Sequence, residues 1–176
     1  LAWEYTENAK EVTIEAEHIT IDEIDQVLLH VSSDEKTKLL VGILKNENPS
    51  SVIIFCNTKR SCEVVAKRLQ MNDIKCDFLI GDLPQSKRLQ ILKEFKAGQI
   101  KVLVATDVAA RGIDVTGVTH IYNYDIPETV ESYIHRIGRC GRAGEKGYTC
   151  LFIDPKNQPM LDEIEKTIKF KIPKRQ

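Results

Sequence analysis

Ser51-Val52-Ile53-Ile54-Phe55-Cys56 is a stretch of strand length that is apolar at every position after the first. Lys101-Val102-Leu103-Val104-Ala105-Thr106 repeats this pattern later in the chain. A strand that is apolar throughout is buried on both faces, as in a parallel sheet that helices cover on each side. The two stretches therefore predict an α/β fold, a three-layer sandwich with a mostly parallel sheet between helices.

Further strands and helices alternate around these two stretches. The other predicted strands are Gln26–Val31, Cys76–Ile80, Val118–Tyr124 and Tyr148–Ile153, with a short edge strand in Val12–Ala16. Helices are predicted over 34–45 with Ser33 as cap, from Pro84 to a stop at Gly98, from a cap at Thr129 to Arg139, and from Pro155 to Ile168. This alternation predicts one domain over residues 12–170, with a linker or arm at 1–11 and a basic tail at 171–176 that either is solvated or leads into an RNA-binding extension.

The composition is that of an ordinary soluble globular domain. The chain has 176 residues, of which 42% are hydrophobic and 29% charged, and its net charge is −1. A net charge near zero excludes a global basic field, so any nucleic acid must be bound by a local patch. No apolar run approaches the ~20 residues that a membrane span requires. Because the chain begins with Leu1, we expect it to be a piece of a longer protein.

The cysteines indicate free thiols rather than a metal site. The chain has five, at Cys56, Cys62, Cys76, Cys140 and Cys150. No two of them form a C-x-x-C pair, so no zinc or other metal site is predicted. An odd number of cysteines, with two inside apolar runs, is typical of reduced thiols in a cytoplasmic protein.

Polar residues follow several predicted strands, at the sheet edge where ligands of such folds bind. Asn57-Thr58-Lys59-Arg60 is either a polar turn or a phosphate contact beside a helix start, which favours anions. Gln85 and Arg88 share one helix face, where they can hold a sugar-phosphate backbone or be solvated. The sequence alone leaves both alternatives open.

Two further stretches contain closely spaced charged residues and glycines. In the first, Arg111 and Asp114 flank Gly112-Ile113 and can pair with each other or face a ligand. The glycine permits unusual backbone angles or a close approach. The second stretch is His135-Arg136-Ile137-Gly138-Arg139-Cys140-Gly141-Arg142. Arginines that follow a helix can serve its C-terminus, but arginines three residues apart among glycines favour a polyphosphate ligand.

Together these stretches resemble the C-terminal half of DEAD-box RNA helicases. Ile53–Thr58 is similar to the fourth motif of that family, Gly81–Arg88 to its Gln-x-x-Arg motif, Val104–Asp114 to the fifth motif and His135–Arg142 to the sixth. Order and spacing agree over most of the chain. The resemblance implies a RecA-like fold, which is an expectation that the structure tests.

The resemblance also implies roles on the nucleotide side and between domains. Arg139 and Arg142 would be arginine fingers that stabilise charge on the γ-phosphate of ATP, and Asp114 beside Gly112 would bind the ribose. The residues implied to meet the other domain are His135, Arg136 and Arg111. The residues implied to line an RNA cleft are Asn57, Thr58, Arg60, Gly81, Gln85, Arg88, Thr106 and Asp107. They would hold phosphates without reading bases.

Two departures from the family pattern and three missing motifs bear on function. Ile80 stands where His is usual, and Cys140, where Thr is commonest, is either an oxidation-sensitive site or an inert thiol. The sequence contains no G-x-x-x-x-G-K-[ST] loop, no Asp-Glu-Ala-Asp run and no adenine-reading Gln motif. By resemblance, an N-terminal RecA-like domain of the same parent would supply these parts and hold Mg²⁺.

We therefore predict half of an ATPase site and half of an RNA cleft on a monomeric fragment that is inactive by itself. Closure of two domains over ATP and RNA would separate a short duplex locally. The alternatives are a module that only binds RNA or protein and a DNA helicase of another branch, which residues 107–114 argue against. A nicotinamide-binding domain would require the G-x-G-x-x-G sequence that this chain lacks.

Overall fold

A computed structural model describes residues 13–14, 19–20, 23–112, 115–141 and 146–175. Within them, strands and helices alternate as the apolar runs predict. The strands are β1 (Thr13–Ile14), β2 (Ile19–Thr20), β3 (Ile24–His30), β4 (Val52–Phe55), β5 (Cys76–Leu79), β6 (Val102–Ala105), β7 (His120–Asn123) and β8 (Gly147–Ile153). The helices are α1 (Lys36–Glu47), α2 (Lys59–Met71), α3 (Gln85–Lys96), α4 (Asp107–Arg111), α5 (Val130–Ile137) and α6 (Gln158–Ile168).

Six of these strands form one sheet in the order β3-β8-β7-β4-β6-β5. All of its strand pairs are parallel. The short strands β1 and β2 pair with each other in an antiparallel ribbon. Both central strands predicted from the sequence, β4 and β6, are buried at every position, which confirms a parallel sheet covered on both faces.

The two faces of the sheet have separate apolar cores. On one face α1 and α2 pack over side chains such as Ile54, Val104 and Tyr122. On the other face α3 covers Ile53 and Leu103, while α5 and α6 share a second cluster with β3 and β8. The result is the predicted three-layer sandwich. No helix among the described residues is long and apolar enough to cross a lipid bilayer.

The predicted helix ends are confirmed at two places and wrong at a third. The Thr129 hydroxyl accepts a hydrogen bond from the Ser132 N–H at 3.0 Å and so caps α5. Gly98 follows α3 with φ +80°, a backbone conformation that glycine adopts without strain. Ser33, predicted as a cap, is instead the first residue of a 3-10 turn, and its hydroxyl donates to Asp154 at 3.2 Å. The Ser33 hydroxyl, which local spacing assigns to the start of α1, is therefore bonded to a residue 121 positions away in the chain.

The C-terminal residues pack against the sheet, which differs from one of the two alternatives for the basic tail, a solvated segment. Leu28 donates its backbone N–H to the Pro173 carbonyl at 2.7 Å and accepts from the Arg175 N–H at 2.7 Å. Ile172 is buried, and the Arg175 guanidinium donates to the Tyr148 hydroxyl at 2.7 Å and pairs with Glu47. Residues 172–175 therefore run along the outer edge of β3 as part of the domain.

All five cysteines are buried and unpaired as thiols. The Cys140 thiol points at the carbonyls of Tyr148, at 3.3 Å, and Thr119, at 3.5 Å. Burial raises the pKa values of Cys76, Cys140 and Cys150 to about 12. Cys140 is also fully buried, and because the thiolate is the reactive form, its burial and raised pKa favour the inert alternative.

The buried thiols predict that the domain loses stability at alkaline pH. The folded state holds the neutral form of these thiols, so their contribution is complete below the unfolded pKa of about 8.5 and is lost as pH rises towards 12. We expect the free energy of unfolding, measured with urea under reducing conditions, to fall by at least about 2 kcal/mol between pH 8 and pH 10. Cys140→Ala should make this fall shallower. Equal slopes in the two proteins would contradict the assignment.

Candidate functional site

Four loops meet at the carboxyl edge of the sheet, where the sequence places its motifs. Residues 57–58 follow β4, residues 106–107 follow β6 and residues 124–128 follow β7. These three strands are neighbours in the sheet, and β5, followed by residues 80–84, lies beside β6. Parallel strands end at the same edge, so stretches far apart in the chain come together there.

Arg136 on α5 joins the three central loops. Its Nε and Nη2 atoms donate to the two carboxylate oxygens of Asp107, each at 2.8 Å. Nη2 also donates to Asn57 Oδ1 at 2.8 Å. Nη1 donates to the Asp125 backbone carbonyl at 2.8 Å and to Asn123 Oδ1 at 3.4 Å. The five N–H groups of a guanidinium thus meet five acceptors within this domain.

This arrangement makes Arg136 an internal connector. The residue is 1% exposed, and its guanidinium lies over the Phe55 ring with 5.1 Å to the centroid. A buried charge is tolerated only where it is paired and fully hydrogen-bonded, as it is here. The interdomain role predicted for Arg136 stays a prediction, and its N–H groups are all engaged inside the domain.

Two residues predicted to line an RNA cleft point towards this connector. Asn57 accepts from Arg136 and donates its Nδ2 to the Ile126 carbonyl at 2.9 Å. Asp107 binds Arg136 through both carboxylate oxygens, and its side chain is 22% exposed. Side chains engaged in this way set the positions of loops. The structure therefore assigns both residues an internal contact that sequence spacing alone cannot indicate.

Two predicted threonines cap helices at the same edge. Thr58 accepts from the Ser61 N–H at 3.1 Å, and Thr106 accepts from the Ala109 N–H at 3.3 Å. Thr58 is exposed, whereas Thr106 is 7% exposed. A hydroxyl that accepts from a helix N–H still has its own proton to donate. Thr58 therefore presents a hydrogen-bond donor to solvent, and the exposed Arg60, two residues later, presents a cation.

The β5–α3 loop brings the Gln-x-x-Arg pair to the same edge. Gly81 and Gln85 are exposed, and Arg88 is half-buried with its Nη2 donating to the Ala109 carbonyl at 3.4 Å. Gly112 has an ordinary φ of −84°, but a Cβ there would lie 3.5 Å from Arg88 Nη2. That distance is an ordinary van der Waals contact, so the structure requires neither of the two roles predicted for Gly112.

A surface ion pair ties two of these loops together. Lys59, the first residue of α2, pairs with Asp82, from the β5–α3 loop, and both side chains are more than half exposed. An exposed pair of this kind contributes little to stability, about 0–1 kcal/mol. The pair places Lys59, a cation next to the predicted RNA-cleft residues Thr58 and Arg60, beside the Asp82 carboxylate.

Three of the residues predicted to meet the nucleotide or the other domain are described: Arg111 ends α4, His135 lies on α5, and Arg139 follows α5. Arg139 is half-buried, and its guanidinium donates to the carbonyls of Ala110 and Val115, at 3.0 Å for the latter. Arg111 donates to the Ser132 hydroxyl at 3.4 Å and is otherwise exposed, as is His135. Arg139 thus holds the chain on both sides of residues 111–114. The predicted sites at Asp114 and Arg142 lie outside the described residues.

Sequence reasoning missed two residues of this site, Asn123 and Asp125. Asn123 is fully buried and links Arg136 to the Cys150 carbonyl, to which its Nδ2 donates at 3.2 Å. The Asp125 carboxylate accepts from Asn57, Ser61 and Lys36. The sequence did contain a signal for Asp125, because this residue directly follows the predicted strand Val118–Tyr124. The other loops were chosen because polar residues follow predicted strands, and the same rule identifies Asp125.

Comparison with known proteins gives the same class of protein as the fold and the site. Residues 35–144 match the family described as the helicase conserved C-terminal domain. The chain belongs to that family, and within it to the C-terminal RecA-like domains of the DEAD-box type, which confirms the resemblance seen in the sequence.

Individual relatives agree with this assignment. The DEAD-box ATP-dependent RNA helicase CshA of Bacillus cereus is 42% identical over 172 residues, which is 98% of this chain and 33% of that protein. The C-terminal domain of the DEAD-box protein Dbp5 is 32% identical with a TM-score of 0.83, over 88% of this chain and 91% of that one. Dbp5 of S. cerevisiae, solved bound to RNA and ADP BeF3, is 31% identical with a TM-score of 0.82, over 93% and 44% of the two chains. This chain spans about a third of the CshA relatives it matches.

Proposed function

We propose that this chain is the second RecA-like domain of an ATP-dependent RNA helicase and that ATP and RNA bind between it and an N-terminal RecA-like domain. The observation that carries the proposal is the shared carboxyl edge. There, one buried arginine holds the loops after β4, β6 and β7 together, and exposed hydroxyl, amide and cationic groups lie around them. The bound state of S. cerevisiae Dbp5, RNA together with ADP BeF3, supports it.

On the nucleotide side, cationic groups would meet the phosphates. Arg139 and Arg142 would stabilise the charge that develops on the γ-phosphate during transfer to water, as arginine fingers do. Asp114 would accept a hydrogen bond from a ribose hydroxyl. The guanidinium of Arg139 donates to the backbone carbonyls of Ala110 and Val115, and these contacts would position it for this role.

Mg²⁺ would be held by the N-terminal domain, where it would neutralise charge on the β- and γ-phosphates. Among the residues that the structure describes, no three His, Cys, Asp or Glu side chains lie together as a metal site. His135 and Arg111, both exposed, would meet the N-terminal domain.

On the RNA side, the proposed contacts are phosphate contacts. Five residues would hold the backbone of a single strand without reading its bases. They lie in the loops after β4 and β5 (Thr58 and Gly81) and in the first turns of the helices that follow (Arg60, Gln85 and Arg88). Asn57, Thr106 and Asp107 would support these loops from within. Closure of the two domains would bend the strand and open a short duplex locally.

A direct test compares this fragment with the full-length parent. Because the phosphate loop and the metal ligands are absent from this sequence, the fragment should hydrolyse no ATP above background with or without single-stranded RNA. The parent should hydrolyse ATP faster when RNA is added, measured by phosphate release. RNA-stimulated turnover by the fragment, or a parent that does not respond to RNA, would contradict the proposal.

The RNA contact can be tested at Arg88 in the full-length parent. Arg88→Ala should weaken RNA binding and reduce the slope of log K against log salt by about 0.7, the value for one phosphate contact on a single strand. The exposed neighbour Lys87 supplies a matched control, because Lys87→Ala removes the same charge one residue away. An unchanged slope in Arg88→Ala would remove this residue from the phosphate contacts.

A further inference from the structure

Asp125, in the loop between β7 and α5, is hydrogen-bonded to four other parts of the fold. One carboxylate oxygen accepts from Lys36 Nζ at 3.2 Å. The other accepts from the Asn57 backbone N–H at 2.9 Å and from the Ser61 hydroxyl at 3.4 Å. Its backbone carbonyl accepts from Arg136 at 2.8 Å. The residue thus connects α1, the β4–α2 loop, the first turn of α2 and α5.

The location of Lys36 indicates that this contact is specific. Lys36 is the first residue of α1, where the positive end of the helix dipole disfavours a cation. Its side chain is nevertheless only 12% exposed, and the ammonium lies 5.0 Å from the centroid of the Tyr124 ring. A lysine left to itself at this position would extend into solvent. The Asp125 carboxylate and the ring face account for its burial.

The same carboxylate lies at the start of α2. Thr58 caps that helix, and Asn57 precedes it. A helix N-terminus attracts anions, and here Asp125 of this domain is the anion that meets the first turn. The inward-facing polar groups of the β4–α2 loop therefore have their hydrogen-bond partners within the protein. The groups left facing outward are Thr58, Lys59 and Arg60, which are exposed.

We propose that Asp125 is a positioning residue for RNA affinity, which rests on the proposed function given above. By holding the Asn57 N–H it fixes where the β4–α2 loop leaves the sheet, and so where Thr58 and Arg60 meet the RNA backbone. Fixing the Asn57 N–H depends on the position of the carboxylate oxygen that accepts from it. The negative charge of Asp125 is needed only for the ion pair with Lys36.

Four variants of the full-length helicase separate geometry from charge. Asp125→Ala removes the acceptor, and Asp125→Glu keeps the charge but moves the acceptor by one methylene. Asp125→Asn keeps an oxygen at the original distance without the charge. Lys36→Met removes the ion pair and leaves the Asn57 contact in place. RNA-stimulated ATPase gives the RNA concentration for half-maximal stimulation and the turnover at saturating RNA, and thermal unfolding gives the stability of each variant.

We expect Asp125→Ala and Asp125→Glu to raise the half-maximal RNA concentration about tenfold, as loss of one well-placed hydrogen bond does, with a smaller effect on turnover at saturating RNA. Asp125→Asn and Lys36→Met should stay within about threefold of the wild type even though both lower the melting temperature. If the Ala variant does not fold, the comparison of Glu with Asn decides.

Two results would overturn the inference. One is a half-maximal RNA concentration that rises in step with the loss of melting temperature across the four variants. That result would show that Asp125 contributes only to stability. The other is no change in Asp125→Glu and Asp125→Ala. A wild-type parent without RNA-stimulated turnover would instead refute the proposed function, so the two failures are distinguishable.

Discussion

Replacing Arg136 with methionine is expected to lower the free energy of unfolding of this domain by about 3–5 kcal/mol. Methionine keeps much of the apolar stem but removes five N–H donors. The Asp107 carboxylate, the Asn57 amide oxygen and the Asp125 carbonyl then lose their partner together. A charge and polar groups left unpaired at a mostly buried position cost far more than the pairing itself contributes.

Urea unfolding of the isolated domain measures this effect. Arg60→Met is a matched control, because it makes the same chemical change at an exposed position of α2 and should cost less than about 0.5 kcal/mol. The double variant Arg136→Met with Asp107→Leu should recover part of the loss, since it removes the orphaned carboxylate as well. A loss below about 1 kcal/mol in the single variant would show that the connector is not required for stability.

Replacing Arg142 with alanine in the full-length parent is expected to slow ATP hydrolysis by on the order of 10³-fold or more. The expectation comes from the position of Arg142 in the stretch His135–Arg142, to which the proposed function assigns an arginine finger. The developing charge on the γ-phosphate would lose a bidentate donor, while RNA binding should be retained. Single-turnover hydrolysis at saturating ATP and RNA separates this step from binding.

Lys146→Ala serves as the comparison for this variant. Lys146 is a nearby cation, pairs with Asp25 at 3.6 Å, and has a side chain that is 63% exposed. Its replacement should leave hydrolysis within about twofold of the wild type, because an exposed pair contributes little. Hydrolysis by Arg142→Ala at a near-normal rate would remove Arg142 from the nucleotide site.

Arg139 should behave differently from Arg142 when it is replaced. Its guanidinium already donates to the carbonyls of Ala110 and Val115, on either side of residues 111–114. Its removal would therefore disturb the loop as well as any phosphate contact. We therefore propose that the two arginines have separable roles and that Arg139 is partly structural within this domain.

Most of the fold could be predicted because its signals are local. The entirely apolar composition of runs such as Ile53–Phe55 and Val102–Ala105 predicts that these strands are buried on both faces. Their alternation with helices predicts the α/β class. Thr129 and Gly98 mark helix ends through contacts within a few residues. The contacts of Ser33 and of the segment 172–175 could not be predicted, because their partners, Asp154 and Leu28, are more than a hundred residues away.

The site was predicted in its location but only partly in its internal contacts. The residues that follow the strands do gather at one edge, as the rule for parallel sheets requires. Whether Asn57 and Asp107 face outward or inward depends on Arg136, which is 79 and 29 residues away from them in the chain. That pairing exists only once β7, β4 and β6 lie side by side, so spacing along the chain cannot show it.

The segment 172–175 has a consequence for how the protein behaves when it is produced in isolation. β3 is an outer strand of the sheet, and a bare strand edge offers unpaired N–H and C=O groups to strands of other molecules. Leu28, near the middle of that edge, is covered by Pro173 and Arg175. A chain cut before Lys171 should therefore self-associate and precipitate more readily than one that extends to Arg175. Residues 172–175 are therefore expected to protect this edge of the sheet from pairing with other molecules.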